Sequence, residues 1–381
     1  SPEEQQELSL GAYRHTLKAQ NGWRRLVQKG PVNWYADYAS AVWRTSGRMP
    51  DTGPLVPGGS HVALPESFFV KGAVDRWLNH VKKRARAARR SQTADGAWTF
   101  KGELAETHFE NTASGLCAAR ALPLLRHARL TDNVASRKAG IRALEYIKGF
   151  RTPRGAQTWE IPLHTPDIMA SARLVKAYVL GYRLTGRKSF LREARKWAIT
   201  GLPFIYMWSE RPVMLYATIP VLGATHFKKP NWIGRPVQWC GTVYADALLS
   251  LAPLDDTLDW RQVARGITVA GEQMQYTSEK SRGTLPDSWN LATQQPSPWD
   301  IDPGALVSLR RRLEGKPAGV YIASGKNHTV AAPYPVTVKD GTAIIKGKEG
   351  VSYRVLIDGQ RVQKLTGTGR STVVLDGSSG Q

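Results

Sequence analysis

Three segments of the sequence combine residues that transfer protons with residues that bind anions. They are THFENTASG from Thr107, TWEIPLHTPD from Thr158, and MLYATIP from Met214 together with NWIGRPVQWCGTVYAD from Asn231. Each segment lies where a loop meets a predicted helix, and the N-terminal end of a helix attracts negative charge. The sequence therefore predicts a site in which acid–base groups stand beside anion-binding groups.

His164 and Tyr216 are the candidates for proton transfer. His164 lies in an extended, proline-bounded stretch, and histidine titrates near neutral pH, although a structural histidine would suit the same place. Tyr216 can act as an acid or a base, or can simply pack in its apolar stretch. Asn111 and Arg235 are the candidates for anion binding, because arginine binds a carboxylate through two parallel hydrogen bonds and asparagine donates without charge. Asn111 would also suit a helix cap.

Carboxylates offer a second kind of chemistry. Glu160, with Asp167 or Asp246, could supply the proton donor and the base or nucleophile of a hydrolase. Asp167 also fits the first turn of a helix with Thr165 as N-cap and Pro166 at its first position. Asp246 lies in an apolar helical pattern, where burial would raise the pKa of an unpaired carboxyl group.

The charge balance favours a negatively charged partner. The chain has 53 Lys and Arg against 31 Asp and Glu, a formal charge of +22, and such an excess suits a nucleic acid, an anionic membrane surface or an acidic glycan. No run of about 18 apolar residues predicts a membrane span. The basic stretch at 78–90 is interpreted as a solvated helix face, because no nucleic-acid-binding motif accompanies it. We therefore expect no nucleic-acid partner.

Cofactor and export signals are sparse. The eight histidines form no HxxxH or HExxH pair, so we expect no cofactor, and any structural cation would be calcium held by carboxylates. Cys117 and Cys240 lie in apolar patterns and are predicted to be buried thiols, with a disulfide between them left open. The first residues, SPEEQQELSL, have neither the basic nor the apolar region of an export signal.

Periodicity predicts a helical body followed by a β-rich segment. The stretch 30–65 loses periodicity and is predicted to be a long irregular loop of functional importance. From residue 316 onwards, β-branched and polar residues alternate between DG-type turns. We expect a helical domain at 1–315 and a small antiparallel β-domain at 316–381. Helices are predicted at 8–29, 66–91, 110–130, 133–149, 166–185, 187–201, 235–252 and 258–277.

Short tryptophan-bearing segments recur between the helix pairs, namely DGAWTF, GAQTWEIP, NWIGRPVQW and TLPDSW. Helical hairpins with aromatic inner loops and an all-β appendix resemble the (α/α) toroid polysaccharide lyases and related toroid glycoside hydrolases. The resemblance covers residues 60–381. It implies a mostly α fold, with an incomplete or six-hairpin (α/α) toroid followed by a small antiparallel β-sandwich-like domain.

The resemblance also implies β-elimination on an acidic polysaccharide that contains uronate and is in some cases sulfated. His164 and Tyr216 would transfer protons, while Asn111 and Arg235 neutralise the uronate carboxylate. Such an enzyme would be secreted or periplasmic. Eight further residues are expected to bind substrate, the tryptophans by stacking on sugar rings: Trp98, His108, Trp159, Glu160, Gln238, Trp239, Tyr244 and Trp289.

Two alternatives stay open at this point. A toroid glycoside hydrolase would use Glu160 with Asp167 or Asp246 and would release reducing ends without a double bond. A non-catalytic glycan- or polyanion-binding protein would use charge and tryptophans alone, with steep salt dependence and no product.

Overall fold

The computed structural model describes residues 35–51, 53–102, 110–210, 212–222, 232–278, 281–297 and 300–375. The α-helices of this part of the chain are α1 Ala36–Ser46, α2 Glu66–Val70, α3 Val74–Arg90, α4 Ser114–Thr131, α5 Val134–Ile147, α6 Ile168–Thr185, α7 Lys188–Ile199, α8 Gln238–Leu251, α9 Trp260–Gln273 and α10 Gly304–Leu313. A short 3₁₀ helix follows α7 at Leu202–Phe204. The seven helices predicted between residues 66 and 277 are confirmed, the first being divided into α2 and α3. The helix predicted at 8–29 lies outside the described residues.

One helix contradicts the predictions. The stretch expected to be an irregular loop contains α1, whose polar residues Asp37 and Ser40 are buried and paired with the backbone of Leu64. Buried polar residues on the inner side removed the apolar periodicity that reveals a helix. Helix α10 was not predicted from the sequence, and its Arg310 pairs with Glu272.

The helices form an inner and an outer layer. Neighbouring inner helices pack in the order α4, α6, α8, α10 and α1, while α5, α7 and α9 pack outside them. Helix α3 packs against α4. It runs antiparallel to α4, because Trp77 near its start shares a core with Leu130 at the end of α4. Since helix pairs of this kind close around a central space, the expected incomplete (α/α) toroid is confirmed.

The inner helices all begin on one face of the ring. Gly115 in the first turn of α4 approaches Ala170 in the first turn of α6 so closely that a Cβ at residue 115 would lie 2.7 Å from the Ala170 Cβ. Ser60 links the start of α1 to Asp302, directly before α10. We call the side on which these helices start the entry face.

The opposite side of the ring rests on a β-sandwich. One sheet has the order β10-β9-β6-β5 and the other β11-β8-β7, all antiparallel. Trp43 of α1 packs in the sandwich core with Tyr334 and Tyr353, so the division at residue 315 stays a prediction. The strands are β5 Tyr321–Ser324, β6 Thr329–Ala332, β7 Val336–Lys339, β8 Thr342–Ile345, β9 Ser352–Ile357, β10 Arg361–Thr366 and β11 Ser371–Val374.

Two short β-pairs lie between α9 and α10 on the chain. Strand β1 (Leu285–Pro286) pairs with β4 (Asp300–Ile301), and β2 (Trp289–Asn290) pairs with β3 (Gln295–Pro296). Cys117 and Cys240 are buried free thiols, as predicted. No helix within the described ranges is both long and apolar enough to cross a membrane.

Candidate functional site

A histidine and a tryptophan meet on the entry face. His61, from the loop between α1 and α2, stacks on Trp239 in the first turn of α8, with ring centroids 4.2 Å apart and planes tilted by 29°. The indole is buried, and its Nε1 donates to Oδ1 of Asp287 at 3.0 Å. Solvent still reaches His61. The stack therefore presents an accessible imidazole held on a fixed, buried platform.

The surroundings of His61 keep its imidazole neutral. The surrounding protein removes water from the imidazole, and this desolvation is the main cause that lowers the pKa of His61 to about 4. The charge of Arg173 is the second cause. Arg173, on α6, donates from Nη1 to the carbonyl oxygen of Ala156 at 2.8 Å. A neutral imidazole accepts a proton, and a guanidinium binds a carboxylate or another oxyanion. The site thus combines a base with an anion-binding group.

Carboxyl groups surround the start of α8. Burial raises the pKa of Asp287, although the hydrogen bond from Trp239 lowers it, so this group holds a proton more firmly than an ordinary aspartate. Burial also raises the pKa of Cys240, and the charges of Asp167, Glu160 and Asp287 raise it further. All three carboxyl groups therefore lie within electrostatic reach of this buried thiol.

A network of hydrogen bonds holds the loop that carries His61. Asp37 accepts from the backbone nitrogens of Ser60 at 3.0 Å and Leu64 at 2.7 Å. The hydroxyl of Ser60 donates to Oδ2 of Asp302 at 2.5 Å. Burial raises the pKa of Asp37 to about 7.

His61 was not predicted as a site residue from the sequence. The only signal for it was its position in a long Gly- and Pro-rich stretch.

His164 belongs to a second cluster. Burial and the charge of Arg154 lower its pKa, and Glu110 opposes them. Arg154 donates from Nη2 to Oε1 of Glu110 at 2.7 Å, beside a pocket of about 480 Å³ lined by Glu110, Tyr146 and Arg154. Asn111 is exposed and lies before the N-cap of α4, so it is not a cap. The structure thus places His164 and Asn111 in one region.

Tyr216 does not join His164. Its backbone has φ of 64°, and its ring packs against Gly266 of the outer helix α9, which turns it away from the ring interior. Gln238 is buried, and its side chain bonds the backbones of Thr218, Tyr216 and Ile267. Gln238 is therefore a structural link between α8 and α9, which corrects its expected role in substrate binding.

Two of the aromatic candidates, Trp98 and Tyr244, are buried. Trp98 is 2 % exposed and donates from Nε1 to the Ala88 carbonyl oxygen. Tyr244 is fully buried and donates to the carbonyl oxygen of Ala198. Both were expected to bind substrate, and both instead belong to the main buried core.

The other substrate-binding candidates lie in varied places. Trp239 is covered by His61 and reaches the site only through it. Trp159 is 49 % exposed and Trp289 is partly exposed, so both are accessible to a ligand. Arg235, predicted to neutralise the uronate carboxylate, is also partly exposed. His108 lies outside the described residues.

The two aspartates considered for hydrolysis have structural partners. Asp167 is itself the N-cap of α6, in place of Thr165, and accepts from the backbone nitrogens of Ala170 at 2.7 Å and Ala156 at 2.9 Å. Burial raises its pKa to about 6. Asp246 pairs with Lys176 and Arg312, which outweigh burial and lower its pKa. The raised pKa expected for an unpaired Asp246 is therefore not found.

Comparisons with known proteins identify no family. No protein-family model matches the chain, and no curated protein matches it. Among solved structures, an unsaturated glucuronyl hydrolase from a Bacillus species is similar, with 14 % identity, 65 % of this chain and 70 % of that chain covered, and a TM-score of 0.44.

Two other solved structures give comparable values. A family 76 glycoside hydrolase (mannosidase) from Bacteroides thetaiotaomicron has 10 % identity, covers 62 % of this chain and 68 % of its own, and has a TM-score of 0.44. A cellobiose 2-epimerase from Bacillus thermoamylovorans has 10 % identity, covers 63 % and 68 %, and also has a TM-score of 0.44.

Proposed function

We propose that this chain is a carbohydrate-active enzyme, a polysaccharide lyase that cleaves an acidic, uronate-containing polysaccharide by β-elimination on the entry face. One observation carries this proposal: the neutral, solvent-accessible imidazole of His61 lies within the electrostatic reach of Arg173. The net charge of +22 supports an acidic substrate. An enzyme acting on such a polymer would work outside the cell or in the periplasm.

The residues present match the steps of this reaction. The base removes the proton from C5 of the uronate, the electron pair forms the C4–C5 double bond, and the C4–O bond breaks as the leaving oxygen gains a proton. His61 is the base, because its low pKa keeps it neutral. Arg173 neutralises the carboxylate while negative charge develops on it. Asp287, with its raised pKa, is the proton donor.

This assignment differs from the residues proposed from sequence. His164 keeps a place as an alternative base, with Asn111 nearby, whereas Tyr216 packs away from the interior. Arg235 and Trp159 are accessible and could bind more distant sugar residues of the chain. Separate mutation of His61 and His164 distinguishes which of the two is the base.

The test is the absorbance of unsaturated uronate, followed together with reducing ends on glucuronan, alginate, pectate, ulvan, chondroitin and heparin-type glycans. We expect both signals to rise on one of these polymers and both to be lost in His61→Ala. His328→Ala is the matched control, because His328 lies in the β-sandwich, bonded to Asp358. If both signals were lost in His164→Ala while His61→Ala kept full activity, the catalytic base would be His164 in the second cluster and not His61.

A glycoside hydrolase is the second candidate, favoured by the raised pKa of Asp287 and the nearby Glu160. A protonated carboxyl group and a carboxylate are the pair that hydrolysis needs. It predicts reducing ends without absorbance and loss of activity in Glu160→Gln, which a lyase would tolerate. Binding of the glycans without any product would contradict both enzymes and support a binding protein.

A further inference from the structure

Helix α3 presents a line of cations to solvent. Arg76, Lys83, Arg86 and Arg90 are all exposed, and at about 100° per residue they lie within about 80° of one another around the helix axis. The line is about 21 Å long, since each residue advances a helix by about 1.5 Å. We call these four residues the basic stripe.

The opposite side of α3 is buried and holds the helix in place. Trp77, Val81, Ala85 and Ala88 are at most 5 % exposed, and they pack in the two cores that α3 shares with α4. In an amphipathic helix the positions half a turn from the buried face point to solvent. The packing of α3 therefore fixes the spacing of the four cations along its outer face.

A second helix extends the basic surface beyond the end of α3. The side chain of Gln92, two residues after α3, donates from Nε2 to the carbonyl oxygen of Ala139 at 3.0 Å and accepts from Nη2 of Arg142 at 2.6 Å. Arg142 and Lys138 lie one turn apart on α5, and both are exposed. The positive surface thus continues from Arg90 onto α5.

Neighbouring carboxylates do not neutralise the basic stripe. Among the described residues, none of its four cations forms an ion pair, and Asp75 is the single acid of α3. On α5, Glu145 already pairs with Arg187 at 3.2 Å and with Lys148. Asp95, after α3, accepts from the hydroxyl of Thr93 at 2.5 Å. The surface therefore keeps an excess of positive charge, which favours a polyanion.

The basic stripe leads towards the entry face. Helix α3 runs antiparallel to α4, because Trp77 shares a core with Leu130 at the end of α4, and α4 begins on the entry face. The Arg90 end of the stripe therefore lies on the side of the entry face, and the Arg76 end lies on the side of the β-sandwich. A polymer that follows the stripe points towards the face that carries His61.

We infer that the basic stripe binds a stretch of the acidic polysaccharide outside the ring, while another part of the same polymer occupies the entry face. Lysine and arginine bind carboxylate and sulfate groups, and this binding weakens as salt is added. The identity of the polymer rests on the proposed function. Proteins that hold single-stranded nucleic acid combine cations with aromatic side chains, and α3 exposes no Trp, Tyr or Phe, so the observations favour the glycan.

Fluorescence anisotropy with labelled heparin, glucuronan and single-stranded DNA tests this inference. The parent protein is His61→Ala, chosen because the proposed function predicts that it leaves the glycans uncleaved. In Lys83→Gln/Arg86→Gln/Arg90→Gln we expect the affinity for both glycans to fall by about tenfold or more at ~100 mM NaCl, and the slope of log affinity against log salt to become shallower by about two to three. The Tm should not fall, because the three side chains are exposed and make no ion pair among the described residues.

The matched control is Lys326→Gln/Arg361→Gln/Lys364→Gln, which removes three exposed cations from the β-sandwich and lowers the net charge by the same amount. This control should bind the glycans as the parent does. Equal losses in the two triple variants would overturn the inference, because binding would then depend on net charge alone. Tighter binding of DNA than of both glycans, lost in the stripe variant, would overturn the choice of polymer.

Two further outcomes separate this inference from the proposed function. Glycan binding that depends on the basic stripe, in a protein that forms no unsaturated product, would support the stripe and contradict the lyase. Unsaturated product from the wild type, together with undiminished glycan binding in the stripe variant, would support the lyase and overturn the stripe.

Discussion

The imidazole of His61 lies 4.2 Å from the indole of Trp239, measured between ring centroids. One ring belongs to a loop near the start of the described chain and the other to the first turn of α8. Aromatic stacking of this kind fixes the position and orientation of the imidazole. The hydrogen bond from the Trp239 indole to Asp287 fixes the platform in turn, so three segments distant in sequence define one site.

The pH dependence of activity should report the pKa of His61. A base must be neutral to act, so kcat/KM should fall as the pH drops through about 4 and not through 6.5. In Arg173→Gln the loss of the neighbouring positive charge should move this acid limb of the pH profile to higher pH, and KM should rise. The measurement is kcat/KM from pH 3.5 to 8. A limb near 6.5 in the wild type would contradict the assignment.

Asp37 should make the protein less stable as the pH rises from 6 to 8. Its pKa is about 7 in the folded protein against 3.8 unfolded, so the folded state binds the extra proton in this window and loses that advantage as the pH rises through 7. The expected decrease in the free energy of unfolding is about 1.4 kcal/mol. Urea unfolding at pH 6, 7 and 8 measures it. Asp37→Asn should lack this slope, and an equal slope in both proteins would refute the prediction.

Asp246→Asn should destabilise the ring. The carboxylate neutralises Lys176 and Arg312, and its removal leaves two largely buried cations unpaired, at a cost of about 3 kcal/mol. Thermal and urea unfolding would detect this loss. Glu193→Gln is the control, because Glu193 forms a more exposed pair with Lys196 within one helix, worth less than about 1 kcal/mol. A cost as small as the control's would show that Asp246 has no structural role.

Trp98 and Trp159 should respond to mutation in opposite ways. Trp98→Ala creates a cavity in the core and breaks the bond to Ala88, which should cost about 3–5 kcal/mol in unfolding free energy. Trp159 is half exposed, so Trp159→Ala should change stability by less than about 1 kcal/mol and act on KM for the glycan. Chemical unfolding and steady-state kinetics on both variants separate the two roles. A stable Trp98→Ala with raised KM would return Trp98 to the site.

By itself, the sequence determined the elements whose signals are local. Helical periodicity located seven helices between residues 66 and 277, and alternation located the β-sandwich after residue 316, because an apolar face must recur at the period of its own element. The stretch 30–65 was predicted to be an irregular loop, and its helix α1 was missed, since buried Asp37 and Ser40 pair with Leu64 from beyond the helix.

Only the tertiary structure decided which polar residues share a site. Trp98 and Trp159 have the same side chain in similar segments, yet one is buried and the other exposed. His61 was missed because nothing local in the sequence encodes its low pKa, which comes from desolvation by the surrounding protein and from the charge of Arg173 on a different helix. Electrostatic interactions act through space between residues far apart in the chain, so the packing of the helices is what brings His61 within reach of the charge of Arg173.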